Sequence, residues 1–158
     1  MRSQLKALRL TGLVLVLAVI AGCHPSRGGS AASGTIRISH AVVPASPSPT
    51  DASGFMVIDN QGTTADSLIG VSSPDAEMVM LHQTTEQGMD MVDGVAIPAG
   101  GRVPLAPGGY HLMLQGLTHQ AAVGDTITVR LVFSKAGDVV VRAPVLRYTE
   151  AVEEVPSH

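Results

Sequence analysis

The chain has 158 residues, about one domain's worth, and its 45% apolar and 15% charged content excludes a disordered protein. Its four aromatic residues, Phe55, Phe133, Tyr110 and Tyr148, are too few for a base-stacking platform. A net charge of −3 also argues against a phosphate-backbone partner, so no nucleic-acid role is expected.

The chain opens as an address. Arg2, Lys6 and Arg9 form a basic start, and an apolar run through Ile20 ends in Ile20-Ala21-Gly22-Cys23. A basic start, a short apolar stretch and small residues before a cleavage point describe a secretory signal over residues 1–22. The run is short for a membrane span, which needs about 20 apolar residues. Ile-Ala-Gly-Cys resembles the bacterial lipobox, which implies cleavage before Cys23 and its lipidation. The expected location is extracytoplasmic, periplasm-facing and lipid-anchored to the membrane. With the only cysteine lipidated, the mature domain would hold no disulfide, no catalytic thiol and no thiolate ligand.

Residues 23–33 are small and Gly/Ser-rich and read as a flexible tether. The folded domain is expected over residues 34–148, and the Glu-rich residues 149–158 read as a solvated tail. Within the domain, alternation and β-branched runs predict strands at 35–40, 55–59, 68–71, 77–84, 89–92, 103–105, 110–115, 126–133 and 139–145. Gly- and Pro-rich turns separate them, and no stretch shows helix caps with a 3.6-residue period. The pattern predicts an all-β fold, a sandwich or Greek-key barrel.

Five of the seven methionines, Met78, Met80, Met89, Met91 and Met113, fall in one window with His82 and His111. On a strand, residues two apart share a face. Met78, Met80 and His82 therefore oppose Val79 and Leu81, and His111, Met113 and Gln115 oppose Tyr110, Leu112 and Leu114. The leucine faces read as core, which leaves sulfur and imidazole on the less buried side. Thioether with imidazole suits Cu(I) among biological metals, whereas zinc seldom takes methionine and a blue-copper site needs a cysteine. Both imidazoles must be neutral to bind, so acid is expected to weaken the site. Core packing by methionine is the competing reading.

The segments Leu81-His82, Met-x-Met, Ile97-Pro-Ala-Gly-Gly101, Pro107-Gly-Gly-Tyr-His-Leu-Met113, Gly116-Leu117, Gly124-Asp125 and Lys135-Ala-Gly-Asp138 resemble the PCuAC family of periplasmic copper chaperones, over roughly residues 36–145. The resemblance implies a cupredoxin-like Greek-key β-sandwich binding Cu(I) through His82, Met91, His111 and Met113. Eight residues separate His82 from Met91 and 19 separate Met91 from His111, each gap two shorter than the family's. Met89 therefore stands as a substitute for Met91, and Met80 as an auxiliary sulfur. The resemblance further implies delivery of copper towards the CuA centre of cytochrome c oxidase, with a Sco-like thioredoxin-fold protein and oxidase subunit II as partners. The alternatives are an envelope copper buffer that confers resistance, and a metal-free lipoprotein interaction domain. No Gly-x-Ser-x-Gly elbow, His-Glu-x-x-His or phosphate-binding Gly loop is present, so no enzyme activity is expected.

Overall fold

The computed structural model describes residues 27–156; the signal segment, Cys23 and residues 24–26 lie outside the described residues. Eleven strands are followed by one helix: β1 (Gly29–Ser33), β2 (Ile36–Pro44), β3 (Asp51–Asn60), β4 (Asp66–Ser72), β5 (Ala76–Thr85), β6 (Gly88–Met91), β7 (Val95–Ile97), β8 (Arg102–Leu105), β9 (Tyr110–Leu117), β10 (Thr126–Phe133), β11 (Gly137–Leu146) and α1 (Tyr148–Glu154). The expected all-β sandwich is what the chain forms.

One layer holds β4, β7, β10 and β11; the other holds β2, β3, β5, β6, β8 and β9, with β1 alongside β2. The two are joined where β11 runs parallel to β2, Val145 opposite Val43. Each layer turns alternate residues inward, as a two-sided strand must. Ile36, Ile38, Ile58, Leu68, Leu81, Leu112, Leu114, Ile127, Val129 and Leu131 meet between the layers. In β10 the alternation is strict: Ile127, Val129, Leu131 and Phe133 are buried, and the residues between them are not.

Asp66 and Asp75 serve the fold by accepting backbone hydrogen bonds. The Asp75 carboxylate accepts from the Thr128 N–H at 2.7 Å. Asp66 accepts from Ser67, Lys135 and Ala136 N–H groups at 2.8, 2.9 and 2.9 Å, tying β4 to the β10–β11 turn.

Three expectations need correction. The stretch 95–97, passed over between two turn signals, is a strand pairing with β4; three residues give too little alternation to register. The tether does not reach Ser33, because β1 pairs with β2, and a Cβ at Gly29 would stand only 1.8 Å from the Arg142 carbonyl oxygen. Small residues, read as a linker, are here what lets a strand lie close against β11.

The expected solvated tail is also structured. Residues 148–154 form α1, whose Ala151 is fully buried, and Val155 beyond it is 3% exposed. Both pack on Val42, Phe55, Val57 and Ala106, the outer face of β2 and β3 and the segment after β8. Ala151 and Val155 are four apart, one helical face. The glutamates around them hide the pattern, yet two are contacts: Glu150 accepts from the Arg147 N–H, and Glu154 from the Gly28 N–H and His40 Nδ1.

Gly116 in β9 has φ of +66°, and a Cβ there would lie 2.7 Å from Glu77 Cγ. Left-handed backbone costs a non-glycine residue about 1–2 kcal/mol. Gly116→Ala is expected to lower unfolding free energy by at least that amount, read from the midpoint of a urea titration with unchanged slope.

Candidate metal centre

The candidate residues come from three neighbouring antiparallel strands, β6, β5 and β9. Residues directly opposite in such a ladder lie on the same face, with Cβ atoms about 5 Å apart. His82 stands opposite Met91 on one side and opposite His111 on the other, so these three form one row across the sheet. The next row pairs Met80 with Met113 and continues to Ser53 of β3. The row beyond pairs Met78 with Gln115. The whole set occupies the face away from the core, since Leu81, Leu112 and Leu114 alternate with it and are buried.

The imidazoles of His82 and His111 meet edge to face with ring centroids 5.8 Å apart. Their environments differ in a chemically telling way. His111 Nδ1 lies 3.1 Å from the Gly109 carbonyl oxygen. A carbonyl only accepts, so Nδ1 carries the proton and Nε2 is left with its lone pair. That is the arrangement by which a metal-binding imidazole is usually oriented. The bend at Pro107-Gly108-Gly109 supplies this carbonyl, two residues before the histidine.

His82 Nδ1 is buried and has no hydrogen-bond partner among the described residues. Such orphaned buried polar atoms are uncommon and costly, by about 1–3 kcal/mol each. A partnerless ring nitrogen held out of water beside a second imidazole and a row of thioethers is suited to a soft cation. Among the described residues no three His, Cys, Asp or Glu side chains converge, so a second site of the zinc or calcium type is not built here.

His111 is more buried than the alternation suggests, at 5% exposure against an exposed Gln115 on the same strand face. His111 shares a hollow of about 180 Å³ with Ser53, Phe55, Thr84, Met89, Pro107 and Tyr148. Tyr148 comes from the start of α1, so one wall of that hollow is supplied by a helix that the sequence did not reveal. The signal that would have found it is the helical spacing of Tyr148, Ala151 and Val155.

The two candidate β6 sulfurs take different places. Met91 is 66% exposed, opposite His82. Met89 is 53% exposed, opposite Thr84, and reaches the hollow beside His111. Of the other histidines among the described residues, His40 pairs with Glu154 and His119 contacts Thr118 at the surface, so neither joins the cluster.

Residues 36–145 match the family model described as "Putative lipoprotein LpqE-like". The chain belongs to the LpqE-like family. A curated member-like relative, "Putative lipoprotein Lxx21020" of Leifsonia xyli subsp. xyli (strain CTCB07), is 32% identical over 97% of this chain and 98% of its own length. Among solved structures, the copper-bound PCuAC domain from PmoF2 is 34% identical with a TM-score of 0.66, covering 75% of this chain and 97% of that one. The Cu(I) form of DR1885 from Deinococcus radiodurans is 33% identical with a TM-score of 0.59, covering 70% of this chain and 77% of the other. The LpqE-like domain is therefore of the PCuAC type, with a cupredoxin-like β-sandwich, as the sequence motifs imply.

Proposed function

We propose that this LpqE-like protein is an extracytoplasmic Cu(I) carrier, held to the membrane by lipid on Cys23. His82, His111, Met91 and Met113 bind the cargo. The observation that carries this reading is the pair of imidazoles 5.8 Å apart, one oriented by a carbonyl and the other with an orphaned buried nitrogen. The likeness to a copper-bound PCuAC domain and to a Cu(I)-bound relative supports it.

The ligand set fits a carrier. Two neutral imidazoles and two thioethers leave a cationic Cu(I) centre that favours the reduced ion, with no thiolate to hold it irreversibly. The sheet face is open at Met91, so an acceptor's ligands can enter before all four donors have left. Transfer is stepwise ligand exchange and breaks no covalent bond. The proposed recipient is the CuA centre of cytochrome c oxidase subunit II, reached with a Sco-like thioredoxin-fold protein.

The test is a Cu(I) titration of the purified protein against a chromophoric competing ligand. One tightly held equivalent is expected, and no binding by the folded protein would overturn the reading. Deletion of the gene then separates delivery from buffering: oxidase deficiency supports delivery, and copper sensitivity with normal oxidase supports the buffer.

The register favours Met91 over Met89 as the β6 ligand. Met91→Leu is expected to weaken Cu(I) binding by about tenfold or more, a loss at least as large as that from removing an outer partner of a ligand. Met89→Leu is expected to leave affinity within about threefold. The same competition titration distinguishes them, and a reversed order would assign the role to Met89.

A further inference from the structure

The four proposed ligands use only part of the thioether face. Met80 and Met78 continue it along β5, away from His82, at successive same-face positions about 7 Å apart. Met80 is directly opposite Met113, and Met78 is opposite Gln115, in an unbroken register that also sets His82 opposite His111. Met78 is 54% exposed and contributes nothing to the core. Its neighbour on the other strand face, Val79, packs against the core instead. A long apolar side chain held in water, on the same face as two more thioethers, has no packing role to explain it.

We propose that Met78, Met80 and Met113 form a second, all-thioether site for a soft monovalent cation. It is a receiving station from which the ion steps to the imidazole row. Met113 is the pivot, since it adjoins Met80 in its own row and His111 two positions along β9. Methionine has three rotatable bonds and a polarisable sulfur, so cross-strand neighbours can converge on one ion without backbone movement. Three neutral sulfurs offer no charge and no hard donor, which selects Cu(I) or Ag(I) against Zn²⁺ and Ca²⁺. The step itself is a ligand exchange: the bonds to Met78 and Met80 break as those to His82 and His111 form, with Met113 bound throughout and no change of oxidation state.

The proposal rests on the imidazole row being the main site, but its test is separable. The probe is Ag(I), a redox-inert stand-in for Cu(I). It is added to the full chain purified in detergent with ¹³C-methyl-labelled methionine, and each methyl resonance is followed. The first equivalent is expected to move Met91 and Met113, and the second Met78 and Met80, with Met113 bridging the two ions through the second lone pair of its sulfur. In the Met78→Leu, Met80→Leu double variant the second step should vanish and the first should remain. Leucine conserves size and apolarity without sulfur, and Met78 is exposed, so folding is not at stake.

Met78 and Met80 methyls that stay still through two equivalents would overturn the second site while leaving the first intact. Failure of Met91 and Met113 to move would instead count against the imidazole row.

Discussion

The His111→Ala, Met113→Ala double variant loses tight Cu(I) binding while keeping its fold. His111 supplies a lone pair on Nε2 because the Gly109 carbonyl holds the proton on Nδ1, and Met113 is the sulfur nearest it along β9. Removing an outer partner of a metal ligand costs about 10–100-fold in affinity. Removing two ligands themselves must cost more, and a drop beyond about a hundredfold is expected in the competition titration. Circular dichroism controls for folding, because His111 is buried and its loss leaves a gap. A folded variant that still bound one equivalent tightly would move the site elsewhere. A metal-free interaction domain predicts a different pattern: lower thermal stability in the variant and no response to copper in either protein.

The largest expected effect on stability is at Asp66. Burial alone would push its carboxyl up, but the Ser67, Ala136 and Lys135 N–H groups and the Lys135 ammonium outweigh that and hold it below the usual carboxylate value of 3.8. Asp66→Ala strands three backbone donors in a nearly closed site, 7% exposed. At about 1–3 kcal/mol for each unsatisfied buried donor, with partial relaxation, a loss on the order of 3 kcal/mol is expected. Asp66→Asn should cost less, since its amide oxygen keeps the bonds to Ser67 and Lys135 and only its NH₂ faces the Ala136 donor.

The pH dependence follows from the sign of the shift. A carboxyl whose folded value is lowered adds stability above its unfolded value and loses it as pH falls through the folded value. The gap between wild type and Asp66→Asn in urea midpoint should therefore be steady from pH 5 to 7 and shrink below about pH 4. A gap that stayed constant to pH 2 would mean that charge plays no part there.

The sandwich was legible in the sequence because its signals are local. Alternation in 126–133 and 139–145 matches β10 and β11 to within a few residues, and the Lys135-Ala-Gly-Asp138 turn joins them. The Met/His face was legible for the same reason, since a period of two fixes which residues share a side. What joins those residues into a site was not. The row of Met91, His82 and His111 depends on the register between three strands, which no single segment encodes. The hollow beside His111 takes one wall from α1, whose buried Ala151, with Val155 just beyond the helix, stands among glutamates that bind backbone and His40. The small residues of 29–33 misled in the opposite direction: absence of side chains was read as freedom when it permits close approach to β11.

The strand β6 is four residues long, exposed at every position, and follows β5 at the end of its sheet. Segments of that kind open at far lower free energy than a central strand. His111, by contrast, sits on β9, which is bonded to β5 on one side and to β3 and β8 on the other. A cargo shared between them is thus gripped by one firm hand and one loose one. Fraying of the rim removes a single donor and leaves the others in place, so residence time is set by the weakest strand and not by the sum of the bonds. Hydrogen exchange should find the amides of β6 among the first to exchange and those of Leu112 and Leu114 among the last.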